Sequence, residues 1–183
     1  MSSFTMRPIL YTGTLLIAMA ACTGIVEAPD EGSGTTVAAQ CTSQTFWKDK
    51  DTGSEFMHPG GKCNECHTKN LNAPIFAIAG TVYQTSHEPD ECNGVNGIGM
   101  SEGGLTEVAV VVTDGEGRSL PPLPVNSVGN FRFEVKVIPP FKVKVTKGGK
   151  ENKMTMSPPH GDCNACHTQT GANLAPGRIT IPQ

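Results

Sequence analysis

The chain has 183 residues, a formal net charge of −3, and 21 glycines and 14 prolines against only 5% aromatic residues. This length predicts one folded unit of ordinary domain size behind any targeting segment. Because Lys and Arg are not in excess, the composition gives no basis for nucleic-acid binding.

The N-terminus has the pattern of an export signal. Arg7 is followed by an apolar run, residues 8–21, which ends in small residues directly before Cys22. A run of about fourteen residues is too short to span a bilayer and is typical of the apolar core of a signal peptide. The chain is therefore expected to leave the cytoplasm.

Small residues just before a cysteine resemble the cleavage site of bacterial lipoproteins. The resemblance implies that Cys22 becomes the lipidated N-terminus and anchors the protein to a membrane. Thr23 is not the aspartate of an inner-membrane retention signal, so the resemblance implies an outer-membrane lipoprotein that faces the periplasm or the cell surface. The alternative is cleavage by the ordinary signal peptidase after Ala20 or Ala21, which would give a soluble secreted protein.

Two copies of one pentapeptide organise the rest of the chain. The first motif is Cys63-Asn64-Glu65-Cys66-His67, and the second motif is Cys163-Asn164-Ala165-Cys166-His167. Two cysteines three apart, followed directly by histidine, form the attachment pattern of c-type haem. Both thiols form thioethers with the porphyrin, and the adjacent histidine binds the iron. A single copy would also be compatible with a zinc or redox pair, but two copies in an exported chain favour two haem c groups.

The similarity between the copies continues beyond the motifs. Residues 70–75 and 171–179 each contain an Asn-Leu pair and an Ala-Pro pair. A metal-binding histidine usually donates its second ring N–H to a fixed acceptor. In many cytochromes c this acceptor is a carbonyl beside a proline, so the Ala-Pro pairs are the candidate acceptors for His67 and His167.

The seven cysteines separate into three sets. Four belong to the motifs, Cys22 ends the leader, and Cys41 and Cys92 remain. An even pair in an exported chain predicts a disulfide. Closing a loop of that length stabilises the fold by about 4 kcal/mol in the chain-entropy interpretation.

The segment between the motifs has the pattern of β-structure. Strict alternation of apolar with charged or polar residues in residues 131–137 and 141–146 indicates strands with one face on a core. The predicted strands are Ile75–Tyr83, Glu107–Thr113, Asn130–Val137 and Phe141–Lys147, with weaker signals at Leu120–Val125 and Lys153–Met156. The expected fold class is mainly β, a small antiparallel β-sandwich flanked by two loop or short-helix c-type haem-binding segments.

The strand sequences also resemble a known family. Residues 79–82, 110–117, 128–133 and 140–145 are similar to a carboxypeptidase regulatory-like domain. That family has a transthyretin-like β-sandwich, so the resemblance implies a scaffold without catalysis. Residues 87–104, which include Cys92, depart from the family pattern as a long inserted loop.

These observations divide the chain into five segments. They are a lipoprotein-type signal peptide at 1–21, a flexible tether at 22–40, a first haem-binding segment at 41–74, the β-sandwich at 75–156 and a second haem-binding segment at 157–183. The tether assignment rests on small polar residues without a core-forming pattern.

His67 and His167 each supply one iron ligand, and a second ligand must come from elsewhere or be absent. His58 and His87 are the favoured candidates for these distal positions. The alternatives are His160, Met57, Met100, Met154 and Met156. Ligation by two histidines favours a low reduction potential, and ligation by methionine and histidine favours a higher one.

The sequence therefore predicts an electron-transfer protein that carries two haem c groups outside the cytoplasm and exchanges electrons with redox partner proteins. The scarcity of acid/base residues near the motifs argues against an enzyme that turns over a substrate. One alternative is a dihaem enzyme such as a peroxidase. Another is a haem-free structural lipoprotein in which the four motif cysteines bind zinc with the two histidines or form disulfides.

Overall fold

Seven strands, one short helix and one 3-10 turn make up the regular structure of the part of the chain that the structure describes. The computed structural model describes residues 40–49, 53–70, 72–97 and 108–183. The predicted leader, Cys22 and the tether up to residue 39 lie outside these residues. All described residues belong to one compact unit, Val37–Gln183, so the predicted sandwich and both motif segments fold together.

The strands are β1 Ile78–Tyr83, β2 Val108–Thr113, β3 Leu123–Pro124, β4 Asn130–Phe133, β5 Lys142–Lys147, β6 Lys150–Lys153 and β7 Ile179–Thr180. The helix is α1 Cys63–Lys69, and the 3-10 turn is Cys163–Ala165. No helix of the described residues has the length and apolar character needed to cross a membrane.

The strands form two sheets. One has the order β4-β1-β7, and the other has the order β3-β2-β5-β6. All pairings are antiparallel except that of β7, which runs parallel to β1. A single cluster of buried side chains draws on both sheets, so the mainly β, sandwich-like fold class is confirmed.

Alternation in the sequence explains which strand faces are buried. In β2, Val108, Val110 and Val112 are at most 2% exposed, and their neighbours are only half-buried. In β5, Val143 and Val145 are buried, and Lys142 and Lys144 lie on the other face. Because side chains alternate between the two faces of a strand, the same pattern that predicted these strands also places the core.

The prediction that one strand spans residues 130–137 is wrong at its C-terminal end. β4 stops at Phe133, and Val135 is 65% exposed although its alternation predicted an inward position. The reason is the length of its partner: β1 begins at Ile78, which pairs with Phe133, and only the Ala77 N–H continues the ladder. Without a partner, the period-two pattern beyond that point has no sheet to join.

The sheet edges also differ from the prediction. β6 covers Lys150–Lys153 rather than Lys153–Met156 and pairs with β5 across the Gly148-Gly149 turn. β7 was not predicted, and it comes from the segment assigned to the second haem site. The C-terminal segment therefore completes the first sheet instead of only following it.

The predicted pairing of Cys41 with Cys92 is confirmed. The two cysteines form a disulfide with a Cα–Cα distance of 5.6 Å across 51 residues of sequence. Both side chains are buried, and an isolated bridge between Phe46 and Cys92 lies beside them. The disulfide ties the segment before the first motif to the loop that follows β1.

Candidate functional site

The first motif lies on α1, which holds three of its residues on one face. Cys63, Cys66 and His67 occupy helical positions i, i+3 and i+4, which lie next to one another on a helix surface. Neither cysteine is in a disulfide. Cys66 is exposed and Cys63 is half-buried.

The second motif forms a tighter turn that lies in the core. After the 3-10 turn Cys163–Ala165, the His167 N–H donates to the Cys163 carbonyl at 2.9 Å, which continues the helical course to the histidine. Cys163 is 8% exposed and packs over β1. Gly80 makes this contact possible, because a Cβ at Gly80 would lie 3.0 Å from the Cys163 Cβ.

Both motif histidines are held in the same way. The His67 Nδ1 lies 2.5 Å from the Pro74 carbonyl oxygen, and the His167 Nδ1 lies 2.8 Å from the Gly177 carbonyl oxygen. A carbonyl can only accept, so each Nδ1 carries the proton and each Nε2 keeps the lone pair that binds a metal. The acceptors are the proline of the first Ala-Pro pair and the residue that follows the second pair.

The two motif histidines differ in how deeply they are buried. Burial lowers the pKa of His167, which keeps its imidazole neutral and able to act as a ligand over a wider pH range. The ring of His67 packs against Phe76, with 5.0 Å between ring centroids. The second site is therefore the more enclosed of the two.

The fold brings the two motifs into direct contact. The Asp162 Oδ2 accepts the Asn64 N–H at 2.9 Å and the Glu65 N–H at 3.2 Å, although 97 or more residues separate them in sequence. In addition, the Asn164 Nδ2 donates to the Gly61 carbonyl at 2.8 Å. Both side chains come from the second motif segment, and both bind the backbone of the first.

The asparagine at the second position of each motif has a matching structural role. The Asn64 side chain donates to the Phe76 carbonyl at 2.8 Å and accepts the Phe76 N–H at 2.9 Å. The Asn164 Oδ1 accepts the Thr81 N–H at 3.0 Å. Both asparagines therefore fix their motif to β1 or to the residues just before it.

Burial also affects the thiols. Burial, followed by the negative charge of Asp162, raises the pKa of Cys63 to about 12. Burial, followed by the neighbouring Cys63 and Asp162, raises the pKa of Cys163 to about 12. Cys63 of the first motif and Asp162 of the second motif segment thus both raise the pKa of the Cys163 thiol.

The two favoured distal candidates lie in different places. The His87 Nδ1 donates to the Gln169 carbonyl at 2.8 Å, so His87 lies beside the second motif with its Nε2 as the remaining metal-binding atom. The His58 Nδ1 lies 2.7 Å from the Glu91 Oε1, in the turn that leads into the first motif. Of the alternatives, His160 is exposed, and Met100 lies outside the described residues.

A buried arginine that the sequence did not single out connects the site to the disulfide loop. Arg178 is 3% exposed. Its guanidinium donates to the carbonyls of Glu88 at 2.9 Å, Gly60 at 3.2 Å and His167 at 3.3 Å, and it pairs with the Asp90 carboxylate. Arg178 therefore joins the approach to the first motif, the end of the second motif and the loop after β1.

The structure offers no cage for zinc at the motifs. Among the described residues, the only group of three metal-binding side chains with ligand atoms within 4.8 Å of one another is Cys41, Glu88 and Cys92. Two members of that group are already joined as a disulfide. The contacts between the motifs are made by the Asp162 and Asn164 side chains, and the ligand atoms of the motif cysteines and histidines do not converge on one point.

The same residues fit a haem c group at each motif. Each motif presents two unpaired cysteines and a histidine whose Nε2 is left for iron. Each is also followed by an apolar side chain left in solvent, Ile75 at 54% and Leu174 at 85% exposed. Single exposed apolar side chains are ordinary on a protein surface, so the fit rests on the cysteines and histidines.

Sequence reasoning missed Asp162, Arg178 and the role of the two asparagines. The asparagines carried a usable signal, since they occupy the same position in both copies of the motif. Asp162 and Arg178 carried none, because their partners lie far away in the sequence. Comparison with models of known families, with curated proteins and with solved structures found no match for this chain.

Proposed function

We propose that the protein is an electron-transfer protein that carries two covalently attached haem c groups outside the cytoplasm. The observation that carries this proposal is the shared setting of His67 and His167. In both motifs a backbone carbonyl holds the Nδ1 proton and leaves Nε2 for a metal, while two free cysteines stand at the attachment spacing.

The chain's own residues have distinct parts in this proposal. Cys63, Cys66, Cys163 and Cys166 are the attachment points, and His67 and His167 are the first iron ligands. His87 and His58 are the candidate second ligands. When bound, haem supplies a one-electron iron couple whose potential depends on ligation, burial and nearby charge.

The contact between the motifs supports electron passage within one molecule. Because Asp162 and Asn164 bind the backbone of the first motif segment directly, the two proposed attachment sites would lie in segments that contact each other. The sandwich is a scaffold in this proposal, as the resemblance to carboxypeptidase regulatory-like domains implies. Redox partner proteins would exchange electrons at the exposed side of either site.

The test is the mass of the mature protein produced in a host with a haem-attachment machinery. We expect the polypeptide mass plus two haem masses, and a pyridine haemochrome spectrum typical of haem c. Replacing Cys63 and Cys66 with alanine should remove one haem, and replacing Cys163 and Cys166 should remove the other. The ferric spectrum of the same preparations reports whether each iron has a second ligand. A bare polypeptide mass from a haem-competent host would reject the proposal.

We also propose that Cys22 is lipidated and anchors the protein to the bacterial outer membrane; this proposal rests on the sequence alone. Stable membrane residence normally requires more than one acyl chain, which a triacylated cysteine provides. The wild-type protein should therefore partition into detergent. The Cys22→Ser variant should move to the aqueous phase or accumulate unprocessed. Equal partitioning of both proteins would contradict the lipid anchor.

A further inference from the structure

The helix of the first motif lacks a cap of its own. The first N–H groups of any helix have no partner within the helix and need an external acceptor. Lys62 occupies the N-cap position of α1, and its side chain makes no capping hydrogen bond. Lysine has only donors, so it is unable to accept from these N–H groups.

Asp162 supplies the missing acceptor from the other end of the chain. Its Oδ2 accepts both the Asn64 N–H at 2.9 Å and the Glu65 N–H at 3.2 Å. These are the second and third residues of α1, which are the usual targets of a capping side chain. A residue 97 or more positions away in sequence therefore caps the first motif's helix.

The same aspartate marks a point where the two copies differ. Glycine precedes both residues, but Lys62 stands directly before the first motif and Asp162 directly before the second. Asp162 is at the N-cap position of its own 3-10 turn and makes no side-chain capping bond there. Its side chain serves the first copy instead, and its backbone lies in a bridge with Ala79 of β1.

The Asp162 carboxylate is buried, and only one of its two oxygens accepts hydrogen bonds. Asp162 is 7% exposed, and its Oδ1 is buried with no hydrogen-bond partner among the described residues. Lys62, directly before the first motif, is half-exposed, and its ammonium pairs with the Glu65 carboxylate at 3.0 Å. The Asp162 carboxylate therefore lies inside the protein, where solvent screens a charge only weakly.

This charge reaches both motifs. Asp162 directly precedes Cys163 in the sequence, and its Oδ2 lies 2.9 Å from the N of Asn64, the residue after Cys63. Both of those cysteines are attachment points in the proposed function. A charge on Asp162 therefore acts on both motif segments.

We propose that Asp162 is a positioning residue common to both haem segments, which caps the helix of the first motif and places a fixed negative charge between the two attachment sites. The electrostatic half of this inference rests on the proposed function, and the capping half does not. A buried negative charge stabilises the more positive, ferric state of a nearby iron and so lowers its reduction potential.

The electrostatic half is tested with Asp162→Asn in the haem-loaded protein. Asparagine keeps a carbonyl oxygen for the two N–H groups, and it removes the charge. At a fixed potential, the ferric-to-ferrous ratio of one or both haems should fall at least tenfold, which corresponds to a rise of about 59 mV for a one-electron couple. Unchanged potentials at both haems, in a protein that still carries two, would overturn the electrostatic role.

Glu65→Gln is the matched control. Glu65 lies on the same helix, and its carboxylate is half-exposed and paired with Lys62 and Lys69. Solvent screens this charge, so the substitution should move the potentials less than half as far as Asp162→Asn does. An equal rise in both variants would show that burial of Asp162 is not the cause and would also overturn the inference.

The capping half is tested by hydrogen exchange of the wild-type amides, which requires no variant to fold. The Asn64 and Glu65 N–H groups have no acceptor inside the helix, so only Asp162 protects them. They should exchange more slowly than the exposed amides of the Gly148-Gly149 turn. Exchange at the same rate as those turn amides would overturn the cap. If the wild-type protein carries no haem, the proposed function fails, but this measurement still decides the positioning role.

Discussion

Replacing Arg178 with alanine is expected to destabilise the protein by at least about 3 kcal/mol, because it leaves several buried acceptors without a donor. The guanidinium binds the backbone oxygens of Glu88, Gly60 and His167 in a part of the molecule closed to solvent. Each buried carbonyl left unpaired costs about 1–3 kcal/mol. The pair with Asp90 adds less, since the Asp90 side chain is 73% exposed.

Close packing around Arg178 restricts how neighbouring residues could rearrange after the substitution. The guanidinium lies over the Tyr83 ring, 5.2 Å from its centroid. A Cβ at Gly60 would lie 2.6 Å from the Tyr83 hydroxyl and 2.9 Å from the Arg178 Nη1, and Gly60 has a φ of +84°. Only glycine suits both the backbone angle and the close approach at this position. A lysine at position 178 keeps the charge but lacks the planar fork that reaches three carbonyls.

Urea unfolding followed by circular dichroism measures this effect. The control is Arg132→Ala, which removes an exposed arginine paired with Glu55 at 3.2 Å. Exposed pairs of this kind contribute about 0.2–1 kcal/mol. We therefore expect Arg132→Ala to shift the unfolding midpoint only slightly and Arg178→Lys to lie between the two alanine variants. Equal midpoints for Arg178→Ala and Arg132→Ala would contradict the structural role assigned to Arg178.

The second large effect concerns the free thiols of the folded chain without haem. At pH 8, Cys163 is expected to react with an alkylating reagent at least a thousandfold more slowly than the exposed Cys66. The thiolate is the reactive form, and a rise of the pKa from 9.0 to about 12 reduces its population by roughly a factor of ten per unit. Burial of Cys163 also restricts access of the reagent.

The same shift gives the haem-free chain a stability that depends on pH. A thiol whose pKa is raised in the folded state releases its proton more readily when the chain unfolds. The free energy of unfolding therefore keeps its full value below about pH 9. It falls as the pH rises toward 12, by about 1.4 kcal/mol per pH unit for each such thiol. Cys63 and Cys163 should both contribute.

Mass spectrometry of alkylated peptides and urea titrations between pH 8 and 11 measure the two consequences. If haem attaches as proposed, the haem-loaded protein is the control, because its motif cysteines would be thioethers with no thiol proton to lose. It should show no alkylation at the four motif cysteines and a flatter stability profile. Alkylation of Cys163 as fast as Cys66 in the folded haem-free chain would contradict the buried position of that thiol.

Local patterns in the sequence were sufficient for several features of this protein. The spacing within each motif, the alternation in β2 and β5 and the leftover pair Cys41 and Cys92 all carry their signal within a few residues or by simple counting. Side-chain periodicity follows directly from strand geometry, so it predicts which residues face the core before any partner strand is known. The Ala-Pro pairs likewise indicated where the carbonyl acceptors of both histidines lie. One acceptor is in the first pair, and the other is in the residue directly after the second pair.

Only the tertiary structure decided the contacts that depend on distant partners. β4 ends at Phe133 because its partner ends, and β7 joins β1 in parallel from the far end of the chain. Asp162 caps a helix 97 or more residues away, and Arg178 binds carbonyls up to 118 residues distant. A helix N–H without an acceptor in its own helix, or a buried carbonyl, requires a hydrogen-bond partner. The local sequence does not identify that partner, because it depends on how the chain packs.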